Sequence, residues 1–154
     1  MTLYLLIFLI VIVGPVGTIA HELGHGITAL LLRADDVSLH IGIGKRIKTF
    51  VFKRFTVHLH TIFFIGGLTK SERTPSYRTI EKIWIALGGP ASNLILASLF
   101  IILFYPTQNP YIQLFIWFQA WLMFINIIPF NWKGKKSDGY TIVQMIAQKN
   151  PKDR

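Results

Sequence analysis

The chain has 154 residues, of which 52% are hydrophobic and 15% charged, and it has no cysteine. That is too apolar for a disordered segment, and it leaves neither a disulfide framework nor thiolate metal ligands. A formal net charge of +9 raises the question of nucleic acid, but the charges fall where a membrane topology would put them.

Leu3 to Ala20 is a run of 18 residues without a charge, and apolar character resumes from Ile27 to Leu32. Such a run is long enough to cross a hydrocarbon core of about 30 Å as helix, so a first span is expected over about 3–32. A cleaved signal peptide is the rival reading, with Thr18-Ile19-Ala20 as a tolerable cleavage site. No Lys or Arg precedes the run, however, so the charged leader is missing. Asp35 and Asp36 then read as a helix stop.

Alternation in Val37–Gly44 and again in Thr56–Ile62 predicts two to four short strands, within a loop of about 37–69. Gly66-Gly67 ends the apolar stretch, and a polar connector runs on to Arg78. Ile83 to Tyr105 is a second charge-free run of 23 residues, and Tyr111 to Pro129 a third of 19. The expected spans are about 80–105 and 111–129, followed by a short helix over about 138–148. The fold class is therefore a membrane all-α core of three transmembrane helices, with a small β-hairpin or sheet between helices 1 and 2. The whole of 1–154 reads as a single domain.

None of the sixteen basic residues precedes Arg33, ten lie between Arg33 and Lys82, and six lie from Lys133 to Arg154. The positive-inside rule then puts the N-terminus outside, and the loop 33–82 and the C-terminus in the cytosol. The basic loop reads as a surface for anionic lipid, and nucleic acid is not the expected partner.

The first span continues into His21-Glu22-Leu23-Gly24-His25. Residues i and i+4 share a helix face, so two imidazoles can hold one Zn²⁺, with Glu22 beside them as general base toward a water on the metal. A solvated polar helix end is the bland alternative. Ionisable groups inside a spanning helix are costly and functional by default, which favours the metal.

A catalytic zinc takes three protein ligands. Glu81 marks the start of the second span, and Asp153 is in the tail. Asp138 follows the third span on the same side as the two histidines. It reads equally as a third ligand or as the N-cap of the last helix. His58 and His60 share a strand face and are a rival source of the third ligand, against the plainer reading of half-buried strand histidines.

Gly88-Gly89-Pro90-Ala91-Ser92-Asn93 would let two helices approach closely. Asn93 reads either as helix–helix glue or as a hydrogen-bond donor to substrate or a developing oxyanion. Asn126 precedes the break at Pro129. Gln113 and Gln119 line a wet face or pair between helices.

His21-Glu22-x-x-His25 in the first span, Gly89-Pro90-x-x-Asn93 in the second, and Asn126-x-x-Pro129 with Asp138-Gly139 after the third resemble the site-2 protease family of intramembrane zinc metalloproteases. The resemblance implies one Zn²⁺ per chain held by His21, His25 and Asp138, with Glu22 as the base. It implies a membrane-protein or peptide substrate cut in or near a transmembrane segment, in a cell-membrane enzyme. It also likens Phe64-Ile65-Gly66-Gly67-Leu68 to the membrane-associated hairpin that can present an edge to substrate. The family's usual Leu-Asp-Gly is Ser137-Asp138-Gly139 here, and there is no room for a PDZ domain between the last two spans. Two other classes stand beside this one: a non-proteolytic zinc-binding membrane protein, and a lipid- or partner-binding scaffold without metal.

Overall fold

Proline decides the shape of the first helix. Helix α1 runs over Thr2–Leu31 and opens into a wide π turn over Leu9–Val13, where the Gly14 N–H reaches back to Leu9 O. Pro15 follows immediately and has no N–H to give to the turn before it, so the extra residue in that turn absorbs the break. This computed structural model describes residues 2–104, 106–132 and 134–148. Tyr105, Lys133 and Asp153, named above, lie outside the described residues.

Two more long helices follow, α2 (Thr79–Phe104) and α3 (Pro110–Ile127), and a short α4 (Asp138–Ala147) closes the described chain. All three long helices are long and apolar enough to cross a membrane. Their packing is inverted relative to a soluble bundle. Outward positions carry bulky apolar groups such as Leu3, Ile102 and Trp117. The buried positions are small or polar: Gly17, His21 and Gly24 on α1, Gly89, Asn93 and Ala97 on α2, and Gln119 beside Phe115 on α3. Helices in lipid gain nothing from hiding leucine, so close backbone approach and internal hydrogen bonds hold them together. A Cβ on Gly24 would stand 2.7 Å from Ser92 Oγ and would strike the Gly88 carbonyl. The two helices therefore approach closely beside the two histidines.

Strands β1 (Asp36–Phe52) and β2 (Phe55–Glu72) form an antiparallel hairpin between α1 and α2. Both strands are longer than expected. They bend near Gly42 and Gly44, both at positive φ, and the hairpin folds back on itself. Residues 37–41 are consequently partnered twice, by 67–71 on one side and by 55–59 on the other. The stretch after Gly67, expected as connector, continues as strand through Glu72 because it is the outer partner of 36–41. Val37 is buried with Ala29 and Ala34, and Phe55, Tyr77 and Ile85 pack around them. That small core fixes the hairpin to the ends of α1 and α2.

A strap of hydrogen bonds reinforces the junction. Arg73 donates to the Leu32 carbonyl at 2.9 Å and to both carboxylate oxygens of Glu81 at 2.8 and 2.6 Å. Glu81 Oε2 also accepts from the Arg78 N–H. Asp35, expected to stop α1, accepts instead from the Thr74 N–H at 2.7 Å. After α3 the chain makes a tiny hairpin, β3 (Asn131–Trp132) with β4 (Lys135–Lys136), and turns into α4.

Candidate metal centre

His21 and His25 share one face of α1, with ring centroids 4.8 Å apart. Each ring is held by its Nδ1. His21 Nδ1–H donates to Asn93 Oδ1 at 2.7 Å, and His25 Nδ1–H donates to the Ile85 carbonyl at 2.7 Å. That carbonyl lies on α2, five residues before Pro90. Both imidazoles thus turn Nε2 inward, the usual way an outer hydrogen bond orients a metal-binding histidine. Gly89 opposite them has no side chain, and a Cβ there would fall 2.7 Å from His21 Nε2.

Asp138 arrives from α4. Ser137 caps that helix: its Oγ accepts from the Tyr140 N–H at 3.1 Å and from the Phe130 N–H at 3.0 Å, and donates to the Ile128 carbonyl at 2.7 Å. The cap therefore ties the end of α3 to the start of α4, and the Asp138 carboxylate is not spent on capping. Gly139 is required beside it, because a Cβ there would collide with the Ile127 carbonyl.

His21 Nε2, His25 Nε2 and the Asp138 carboxylate gather at one point, with edges of 3.2 Å between the two imidazoles and 3.0 and 3.4 Å to Asp138. Two ligands at about 2.0–2.1 Å from one tetrahedral ion stand roughly 3.3–3.4 Å apart, so the three groups, with one Asp138 oxygen toward each histidine, are close enough to share such an ion. The donor chemistry agrees. With both Nδ1 atoms donating outward, two imidazole lone pairs and a carboxylate face one another, and Asp138 Oδ2 is buried without a hydrogen-bond partner. A cation bound between them would satisfy all three at once. The residues present fit a zinc ion.

Glu22 stands at the edge of this group, in a cavity of about 500 Å³ that His21, His25, Gly67, Thr69 and Asp138 also line. The Thr69 hydroxyl lies 2.8 Å from both the Glu22 carbonyl and Glu22 Oε2. A Cβ on Gly67 would come within 3.1 Å of Glu22 Cδ.

The other expected site residues are distributed unevenly. Asn126 lines the cavity, with its amide donating to Leu122 O at 2.9 Å. Gly67 lines it too, whereas Gly66 faces a separate cleft with His40. Asn93 lies behind His21, fully buried, with both ends of its amide engaged by His21, Gly17 and Gln119. His58 and His60 are not with His21 and His25. They cluster with His40 on the hairpin, where His40 Nδ1 is 3.3 Å from His60 Nε2. That removes the rival source of a third ligand. Sequence reasoning missed Thr69, which is 47 residues from Glu22 and carries no motif. It missed the Ile85 carbonyl for the same reason.

Three helices long and apolar enough to cross a membrane, with a His, His and carboxylate cluster beside a glutamate among them, define the class: a helical protein of membrane type with a polar, chemically equipped interior. The family model for peptidase family M50 matches residues 4–110. The chain belongs to that family, the site-2 protease family, and membership implies intramembrane metalloprotease activity. The match spans α1, the long hairpin and α2. Asp138 lies beyond it, so its place in the centre rests on geometry. No curated protein matches the chain.

Proposed function

We propose that this protein is an intramembrane zinc metalloprotease that hydrolyses a peptide bond in or near a transmembrane segment of a membrane-protein substrate, with His21, His25 and Asp138 as zinc ligands and Glu22 as general base. The observation that supports this most is the convergence of those three ligand groups at 3.0–3.4 Å beside Glu22. When bound, zinc supplies Lewis acidity to the scissile carbonyl and acidifies water. Glu22 takes the proton from the attacking water and passes it to the leaving amine, and the Thr69 hydroxyl holds its Oε2 in place.

A substrate helix hides its peptide groups in its own hydrogen bonds and must unwind first. Residues 67–72 have a strand partner on one side only among the described residues. Their other edge, on the strand whose Gly67 and Thr69 face Glu22, is suited to receive the unwound segment as an added strand. Asn126 and Gly67 would line its path, and Gly66 sits at the bend that leads into it. Asn93 serves this reaction from behind His21. The hairpin and α4 lie on the cytosolic side, with the N-terminus outside, in the cell membrane.

An intact glutamate beside the ligands favours this reading over a non-proteolytic zinc protein, because a purely structural site has no use for a base. The test is cleavage of a quenched peptide bearing one apolar membrane segment, co-reconstituted with the protein in liposomes. Wild type should cleave it, and Glu22→Gln should retain zinc and lose cleavage by more than a hundredfold. Cleavage retained in Glu22→Gln would remove Glu22 from the mechanism.

A further inference from the structure

Gln119 is fully buried in the middle of an apolar helix, and its Nε2 has no hydrogen-bond partner. An unmatched amide donor is expensive in such surroundings, and a leucine would pack there without that cost. Room has nevertheless been made for it. A Cβ on Gly17 would fall 2.9 Å from Gln119 Nε2 and 2.8 Å from Leu122 Cδ1, so α1 presents a glycine where α3 presents this amide.

The other end of the amide explains its presence. Gln119 Oε1 accepts from Asn93 Nδ2 at 2.7 Å, and the same nitrogen donates to the Gly17 carbonyl at 3.1 Å. Asn93 Oδ1 accepts from His21 Nδ1–H at 2.7 Å. A primary amide can turn over about its last torsion. Turned over, Asn93 would aim its oxygen at two acceptors, Gln119 Oε1 and Gly17 O, and its NH₂ at His21 Nδ1. It would then hold His21 as the tautomer with the proton on Nε2, the nitrogen that faces His25 and Asp138. The Gly17 carbonyl is a fixed acceptor against that flip, and Gln119, with its Oε1 turned toward Asn93, supplies the second.

We propose that Gln119 is a positioning residue for the metal centre: it locks the Asn93 amide, and through it keeps the Nε2 lone pair of His21 directed at the metal. This rests on the zinc-centre reading above. The relay crosses all three long helices, and Gln119 acts on the centre only through Asn93 and His21.

The test is zinc affinity in detergent, measured by competition with a chromophoric chelator, together with the visible spectrum of the Co²⁺-loaded protein and the thermal midpoint of the metal-free protein. Gln119→Leu should lower zinc affinity roughly tenfold to a hundredfold, the usual scale for outer partners of a metal ligand. It should alter the Co²⁺ spectrum and leave the metal-free midpoint unchanged or higher. Asn93→Ala removes the amide that Gln119 is argued to lock, so adding Gln119→Leu to that background should leave affinity within about threefold of Asn93→Ala alone. Should Gln119→Leu not fold, Gln119→Met removes the same acceptor at the native side-chain length. Unchanged zinc affinity in Gln119→Leu, or the same loss in both backgrounds, would overturn the proposal. Folded wild type without zinc would overturn the metal centre itself, a separate failure.

Discussion

The Glu22 carboxylate is confined from two sides. Thr69 holds one oxygen by its hydroxyl, and the Gly67 backbone occupies the space beside the other. Gly67→Ala puts a methyl group within 3.1 Å of Glu22 Cδ, so the carboxylate must move while His21, His25 and Asp138 stay in place. The expected outcome is a fall in cleavage of roughly tenfold to a hundredfold, the cost of a displaced catalytic group, with zinc content unchanged. A loss of zinc instead would show that Gly67 supports the ligands. At this scale the sequence was legible where spacing carries the chemistry. His21, Glu22 and His25 sit one helical turn apart, and helix geometry brings them together with no help from the rest of the chain. Asn93 was legible as a polar group needing a partner, but not as the partner of His21. That pairing spans 72 residues and depends on how two helices approach at Gly24 and Gly88. Asp138 and an N-cap look alike until Ser137 is seen to do the capping.

Among the elements, the long hairpin departs furthest from its local pattern. Alternation marks Val37–Gly44 and Thr56–Ile62, but nothing along the chain says that residues 37–41 will have partners on both sides. That follows from the bends at Gly42 and Gly44, which bring three histidines onto one face. Burial, and then the neighbouring His58, His60, Lys70 and Arg46, lower the His40 pKa below its ordinary 6.5. In the unfolded hairpin the same imidazole titrates at about 6.5. Below that pH the unfolded state binds the proton more readily, so hairpin stability is full above about 6.5 and declines as pH falls through it. Amide exchange protection of residues 37–41, corrected for the intrinsic rate, should drop between about pH 7.5 and 5.5 in wild type and should stay level in His40→Asn. Equal loss in both would assign the effect to another group.

Taken whole, the molecule keeps small and polar residues inside and bulky apolar ones outside, the arrangement expected of helices packed in lipid. Its three spans were legible because charge-free runs of this length are rare in soluble chains, and the observed helices begin and end within one or two residues of the expected ones wherever the chain is described. The orientation rests on charge placement alone, and the absence of cysteine makes it directly testable. With single cysteines introduced, Gln108→Cys should react with a membrane-impermeant maleimide from outside intact cells, while Lys45→Cys should react only after the cells are opened. The reverse pattern would invert the topology and place the cavity on the outer side.

What unites these scales is the convergence of α1, α2 and α4 on the cluster of His21, His25 and Asp138. The direct measurement is zinc per chain in detergent-purified protein, for wild type, His21→Ala and Asp138→Ala. One zinc in wild type, lost in His21→Ala and much weakened in Asp138→Ala, is the predicted result. A well-folded wild type that holds no zinc even after zinc is added back would contradict the account and leave His21, Glu22 and His25 as polar residues of a membrane scaffold.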